Sequence, residues 1–230
     1  MKKIVMIMVI LSSMFAFQSK YLPKKYIETD SCDTVLYKKA FDICYSCRDK
    51  IPRIVTYTLD GRKVNLNNYS RKGIRFQYDR GLSKKCRSYS RDYSKSGYDR
   101  GHMAPNAAFD YDKMIQKETF LMSNIAPQTP NVNRRLWVKI ERSARLQARK
   151  YKKVSVVTGN CGSLGKIKRK VVIPKYFYKI IYTPYRKKTI AYLVPNKKKL
   201  PSKKITDYLT TVEEIEHVCD IDIKKCRNCR

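Results

Sequence analysis

The sequence predicts an α+β fold, with strand-forming runs on both sides of one long helical segment and no regular βαβ alternation. Residues 131–150 contain neither Gly nor Pro, and Leu136, Ile140, Ala144 and Ala148 recur every four residues beside Trp137. That spacing marks the buried stripe of a helix beginning at Asn131 or Val132. Val154–Thr158 closed by Gly159, Val171–Tyr182 and Thr189–Val194 are rich in β-branched and aromatic residues and read as strands of a central sheet.

The remaining elements follow from local signals. Residues 20–50 are irregular and bear cysteines. Ile54–Leu59, Asp60-Gly61 and Val64-Asn65-Leu66 read as strand, turn and strand, a hairpin. Residues 67–98 are polar and rich in Tyr, Ser and Arg without steady periodicity, which predicts a long surface connection of the kind that often carries function. Thr211-Val-Glu-Glu214 fits a capping box and starts a short last helix. No flexible linker or tandem repeat appears after residue 20, so the 230 residues are expected to form one domain after the leader.

Charge narrows the class of partner. There are 51 Lys and Arg against 19 Asp and Glu, a formal net charge of +32. A codon bias that raises Lys gives no reason for so few acids. With 43% hydrophobic and 11% aromatic residues the chain is not a disordered basic tail. A folded domain this basic calls for a polyanion: nucleic acid, an anionic membrane surface or an acidic polysaccharide. Charge alone does not choose among them.

Met1-Lys2-Lys3, the apolar run Ile4–Leu11 and Ser12-Ser13-Met14-Phe15-Ala16 have the order of a secretory signal peptide, expected over residues 1–18 with the domain at 19–230. Secretion to a periplasmic or extracellular compartment is the expectation. The run is short for a membrane span, and no stable membrane association is expected. Loss of Lys2 and Lys3 leaves 49 basic residues against the same 19 acids, a net of +30. Eight cysteines lie beyond this segment, at 32, 44, 47, 86, 161, 219, 226 and 229. Disulfides are the default in an oxidising compartment. Cys44-Tyr-Ser-Cys47 and Cys226-Arg-Asn-Cys229 are also each spaced like half a zinc site, so a four-Cys zinc site is the alternative.

Two histidines occur. His217 stands among carboxylates near the chain end, a setting for a solvated or structural side chain. His102 closes Asp99-Arg100-Gly101-His102, where Gly97 and Gly101 leave the backbone open to a ligand. This tetrad is followed by Ser123-Asn-Ile-Ala-Pro-Gln128 and then by Asn131, Asn133, Trp137, Glu141 and Arg145. In that order and spacing the two blocks resemble the non-specific DNA/RNA endonucleases of the ββα-metal class. The similarity is continuous from about residue 90 to 180.

The resemblance implies a ββα-metal nuclease fold and hydrolysis of phosphodiester bonds in DNA and RNA, leaving 5′-phosphate ends. It makes His102 the general base, a task suited to a neutral imidazole near pH 7. Asn133 becomes the protein ligand of Mg²⁺, with Mn²⁺ as a substitute; a hard, hydrated ion needs only one or two protein oxygens. Glu141 is assigned to a metal-bound water, Arg100 and Arg145 to the phosphate, and Asn124 and Gln128 to the substrate site. Asn133, Trp137, Glu141 and Arg145 are four apart and form one slowly winding helical stripe. Trp137 is expected in the core. Arg75 is one candidate for the family's upstream arginine but does not align, and stays outside the catalytic set. Asp110 and Asp112 have the spacing of a carboxylate metal pair, yet short Asp pairs near turns are usually solvated or capping. The resemblance also admits a homodimer. Two other classes carry the same charge: an inactive DNA-binding relative, against which the intact His102, Asn133 and Glu141 stand, and a membrane-active cationic protein, against which the chemically mixed helix stands.

Overall fold

A computed structural model describes residues 32–65 and 68–223. The expected signal peptide, Leu66, Cys226 and Cys229 lie outside the described residues. The strands are β1 (Thr34–Tyr37), β2 (Phe41–Ser46), β3 (Ile51–Asp60), β4 (Asp99–His102), β5 (Ile125–Gln128), β6 (Lys153–Cys161), β7 (Lys166–Ile167), β8 (Val171–Val172), β9 (Tyr176–Thr183), β10 (Lys188–Pro195) and β11 (Leu209–Thr210). The α-helices are α1 (Lys113–Thr119), α2 (Val138–Tyr151) and α3 (Val212–Cys219). Seven strands form one antiparallel sheet in the order β1-β2-β3-β6-β9-β10-β11.

Strand alternation divides the core into two layers. Phe177 and Ile181 of β9 join Val55, Tyr57, Val154 and Val156 in the large cluster that also takes Leu136, Ile140, Ala144 and Ala148. The predicted helical stripe is therefore the face that docks on the sheet. Tyr178 and Ile180, one residue out of phase, face the other way and pack with Val212 and Ile215 of α3. Thr211 caps α3 by accepting from Glu214 N at 3.1 Å.

Several expectations are corrected. Asp60-Gly61 does not turn a hairpin: β3 pairs with β2 and β6, and a single 3₁₀ turn over Lys63–Asn65 follows it. Gly61 serves a different need, because a Cβ there would lie 2.2 Å from the Ala148 carbonyl oxygen at the end of α2. Residues 34–46, expected to be irregular, form β1 and β2. All six β2 residues are buried, including Asp42 and Ser46, so the strand shows no polar-apolar alternation to read. The run 171–182 divides into β8 and β9, separated by Ile173, Pro174 and Lys175.

The cysteines join as Cys32–Cys44, Cys47–Cys86 and Cys161–Cys219. Both members of the first CxxC pair are thus engaged in different disulfides, which removes that half of the zinc alternative. The 68–98 connection is irregular as expected, but Cys47–Cys86 ties it to the sheet, and Asp79, Leu82 and Tyr93 within it are buried.

Candidate active site

β4 and β5 form a separate two-stranded ribbon, with Asp99 opposite Gln128 and His102 opposite Ile125. The chain then enters α2 through a π-helical turn over Val132–Trp137. Such wide turns are common at functional sites because they re-aim side chains without breaking the helix. A cleft of about 590 Å³ opens between ribbon and helix, lined among others by Arg71, Phe76, Asp99, Arg100, His102, Asn106, Asn133, Arg134, Glu141 and Arg145. The five side chains His102, Arg100, Asn133, Glu141 and Arg145 therefore share one space, although they come from two different elements, β4 and the helical segment that begins at Val132.

Asn124 and Gln128, expected at the substrate, are fully buried behind the cleft. Asn124 Oδ1 accepts from Ala104 N at 2.8 Å, and its Nδ2 donates to the Ala104 and Thr119 carbonyls at 2.9 Å each. Its amide thereby clamps the segment just after His102. Gln128 packs against Gly101 so closely that a Cβ there would sit 2.2 Å from its Oε1, which accounts for the glycine of the tetrad. Both residues shape the site from behind and have no surface for direct contact.

The His102 ring packs 5.5 Å from Phe76 and edge-on to Phe120 at 5.0 Å. Its Nε2 is buried without a hydrogen-bond partner among the described residues. Burial, followed by the nearby Arg71 charge, pushes the imidazole down to about 3, so the ring is neutral at pH 7. Arg100 Nη2 donates to the Ser90 carbonyl at 2.6 Å, while its Nε and Arg145 Nη1 are buried without protein partners among the described residues.

Asn133 Nδ2 donates to Asp99 Oδ2 at 3.0 Å. Asp99 also takes Arg134 Nε at 2.8 Å and Nη2 at 2.7 Å. Burial opposes ionisation of Asp99, but these donors hold its carboxyl below the usual range. With the amide nitrogen engaged, Asn133 offers Oδ1 to the cleft. Among the described residues no group of three or more His, Cys, Asp and Glu could hold a metal ion. The cleft's donor set, one amide oxygen with Glu141 beside it, fits a hard cation that keeps most of its water.

Beneath the helix lies Lys179, fully buried on β9. Its Nζ donates to Tyr57 Oη at 3.0 Å and to Thr158 Oγ1, and stands 4.9 Å from the centre of the Trp137 ring. Trp137 is a core residue, as expected. Burial raises the Glu141 carboxyl well above the usual carboxylate range, against the pull of the Lys179 and Arg145 charges. Burial likewise lowers Lys179 well below the usual range of a lysine, with Glu141 opposing that shift.

The sequence reading missed Arg71 and Lys179. Arg71 falls in the aperiodic connection, where no pattern distinguishes it from Arg75. Arg75 instead lines another cavity with Gly73, Ile74 and Met114. Lys179 sits inside a strand run whose lone cation gave no hint of burial. Asp112 caps α1 by accepting from Met114 N and Ile115 N, so the Asp110–Asp112 metal pair is not formed. His217 is exposed at the end of α3.

A two-stranded ribbon and a crossing helix around an imidazole and an amide define the ββα-metal fold. A chain in the crystal structure of the EndoG/EndoGI complex is similar to this one, with a TM-score of 0.76 and 26% identity over 84% of this chain and 86% of that chain. The family model for DNA/RNA non-specific endonuclease matches residues 18–229. This chain belongs to that family. It is 28% identical to the mitochondrial nuclease of Saccharomyces cerevisiae over 81% of its own length and 64% of the relative's. It is 27% identical to human mitochondrial endonuclease G over 78% of its own length and 65% of the relative's. The matches thus span slightly less than two thirds of each of those two relatives.

Proposed function

We propose that this protein is an exported, divalent-metal-dependent endonuclease that hydrolyses phosphodiester bonds of DNA and RNA with little sequence preference. The observation that carries the reading is the neutral, half-buried His102 in one cleft with Asn133, Arg71, Arg100 and Arg145. The names of its relatives, nuclease and endonuclease G, support it.

In the proposed reaction a phosphodiester enters the cleft with its nonbridging oxygens toward the arginines. Arg guanidinium groups suit this role because they stay charged and present several fixed donors to an oxyanion. His102 Nε2 takes a proton from water, and the water oxygen bonds to phosphorus as the bond to the 3′-oxygen breaks, leaving a 5′-phosphate. Phe76 and Phe120 pack on the imidazole and disfavour its charged form, and Asn124 holds the backbone that carries it. Asn133 Oδ1 would hold Mg²⁺, with Mn²⁺ as a substitute, and Glu141 would hold water beside it. When bound, the ion supplies positive charge for the phosphate and the departing oxygen.

The net charge, +32 for the whole chain and +30 without Lys2 and Lys3, supports capture of the polyanion irrespective of sequence, since phosphate contacts carry no base information. The three disulfides among the described residues support export to an oxidising compartment. No helix among the described residues is long and apolar enough to cross a membrane. The deciding experiment incubates the purified protein with supercoiled plasmid and with RNA, with and without EDTA. Nicking of the closed circle that EDTA stops is the expected result; binding without cleavage under every metal would leave an inactive DNA-binding protein and overturn the proposal.

A further inference from the structure

Next to the catalytic cleft lies a second groove of about 320 Å³, lined chiefly by Phe76, Tyr78, Arg80, Tyr89, Ser90 and Arg91. It is joined to the first at two points. Phe76 lines both and packs on His102, while the Ser90 carbonyl holds Arg100. The groove's described lining contains three aromatic rings, two arginines and no acid. Tyr78 and Tyr89 stand 5.7 Å apart at 56°, and Tyr78 remains 41% exposed despite its size.

The groove is built on a pinned framework. Cys47–Cys86 anchors the loop that carries it. Arg87 lies 4.7 Å from the centre of the Tyr78 ring while its Nε donates to the Leu82 carbonyl at 2.8 Å, and Asp92 accepts from Tyr89 N at 2.8 Å. Arg91 lies 5.1 Å from the centre of the Tyr89 ring. Aromatic rings held among guanidinium groups are the chemistry that binds single-stranded nucleic acid: every base has a π face, and its phosphate needs a cation.

We propose that this groove is a stacking subsite for an unpaired nucleobase of the substrate strand, next to the nucleotide whose phosphate occupies the catalytic cleft. The proposal rests on the nuclease reading and adds a substrate preference to it. In a duplex the base faces are covered by their stacked neighbours and only backbone and base edges meet the protein, so a ring-lined groove rewards a strand that is single or locally opened. Single-stranded nucleic acid is then held at both grooves, and intact duplex at the catalytic cleft alone.

The test measures binding and needs no cleavage. His102→Ala protein in EDTA is titrated against a fluorescein-labelled oligothymidylate and a labelled duplex of equal length, followed by anisotropy. Adding Y78A/Y89A is expected to lower the ratio of single-strand to duplex affinity about tenfold or more, the size of one lost base–aromatic stack. Adding Y78L/Y89L, which keeps apolar volume but removes the π faces, is expected to lower it similarly, and Y78F/Y89F to preserve it. Ratios within about twofold of the starting protein in both the Ala and Leu variants overturn the subsite. Plasmid cleavage by the wild-type chain is read separately, so failure of the nuclease reading is distinguishable from failure of this one.

Discussion

Asp99 fixes the amide of Asn133: the Asn133 Nδ2 donates to Asp99 Oδ2 at 3.0 Å, and the same carboxylate is gripped by both arms of the Arg134 guanidinium. An amide free to rotate presents nitrogen as readily as oxygen, and nitrogen repels a cation. Asp99 removes that ambiguity. Asp99→Ala is therefore expected to raise the Mg²⁺ or Mn²⁺ concentration for half-maximal cleavage about 10–100-fold, the range for partners that orient a metal ligand. Mn²⁺ titration followed by electron paramagnetic resonance checks the same shift without turnover. An unchanged metal requirement in both measurements would show that Asp99 does not act through Asn133.

His102, the proposed base, also has a stability signature. Its folded-state pKa of about 3 lies below the ordinary value of 6.5. Between those values the unfolded chain binds a proton that the folded chain refuses, so the native state loses stability as pH falls through that window. His102→Asn removes the effect. Relative to the variant, the wild-type chain is expected to lose on the order of 1–2 kcal/mol between pH 7 and pH 5, allowing for partial solvent access to the ring. Denaturant unfolding at the two pH values measures it, and His102→Ala is expected to lower kcat about 10²–10⁴-fold at pH 7. A wild-type-to-variant stability difference independent of pH would place the ring in solvent.

What could be read from sequence follows from how locally each feature is encoded. The stripe Leu136, Ile140, Ala144 and Ala148 was legible because helix burial repeats within one segment, and all four residues are buried. The fold class was legible because its family motifs fall on β4, β5 and the helical segment from Val132 into α2, all within about fifty residues. β2 was hidden because burial on both faces erases alternation, and the π turn at Val132–Trp137 was hidden because its residues are ordinary helix formers. Asn124 looked like a substrate contact because motif matching reports position and not direction. Its burial follows from the turn at 122–124, which aims the amide at Ala104 rather than at the cleft.

The charges of the buried Lys179 and the cleft-lining Glu141 bear on each other's ionisation. Burial raises the carboxyl and lowers the amine, and the Lys179 charge opposes the first shift, so removing the cation makes the remaining carboxylate harder to ionise. Lys179→Met is expected to move the acid limb of kcat/KM to higher pH and to cost about 1–3 kcal/mol of stability. The cost falls below that of a fully isolated charge because Glu141 keeps Arg145 and some solvent. Adding Glu141→Gln should restore part of the stability, since the amide carries no charge to leave unpaired. Thermal unfolding of the single and double variants together with pH–rate profiles tests both halves. Strict additivity of the two substitutions would mean that the groups do not interact.

Arg71 and Arg75 are four residues apart in the same irregular connection, yet they face different cavities. Arg71 lies 5.4 Å from the centre of the Phe120 ring, and its charge disfavours protonation of His102. A guanidinium in that place can meet a phosphate oxygen while keeping the base neutral. Arg71→Ala is accordingly expected to lower kcat/KM by at least tenfold, and Arg75→Ala by no more than twofold. The comparison controls for the loss of one positive charge from the same loop, which weakens capture equally in both variants. Steady-state cleavage of a labelled oligonucleotide at fixed ionic strength separates them; equal losses would assign Arg71 to general electrostatic attraction and remove it from the site.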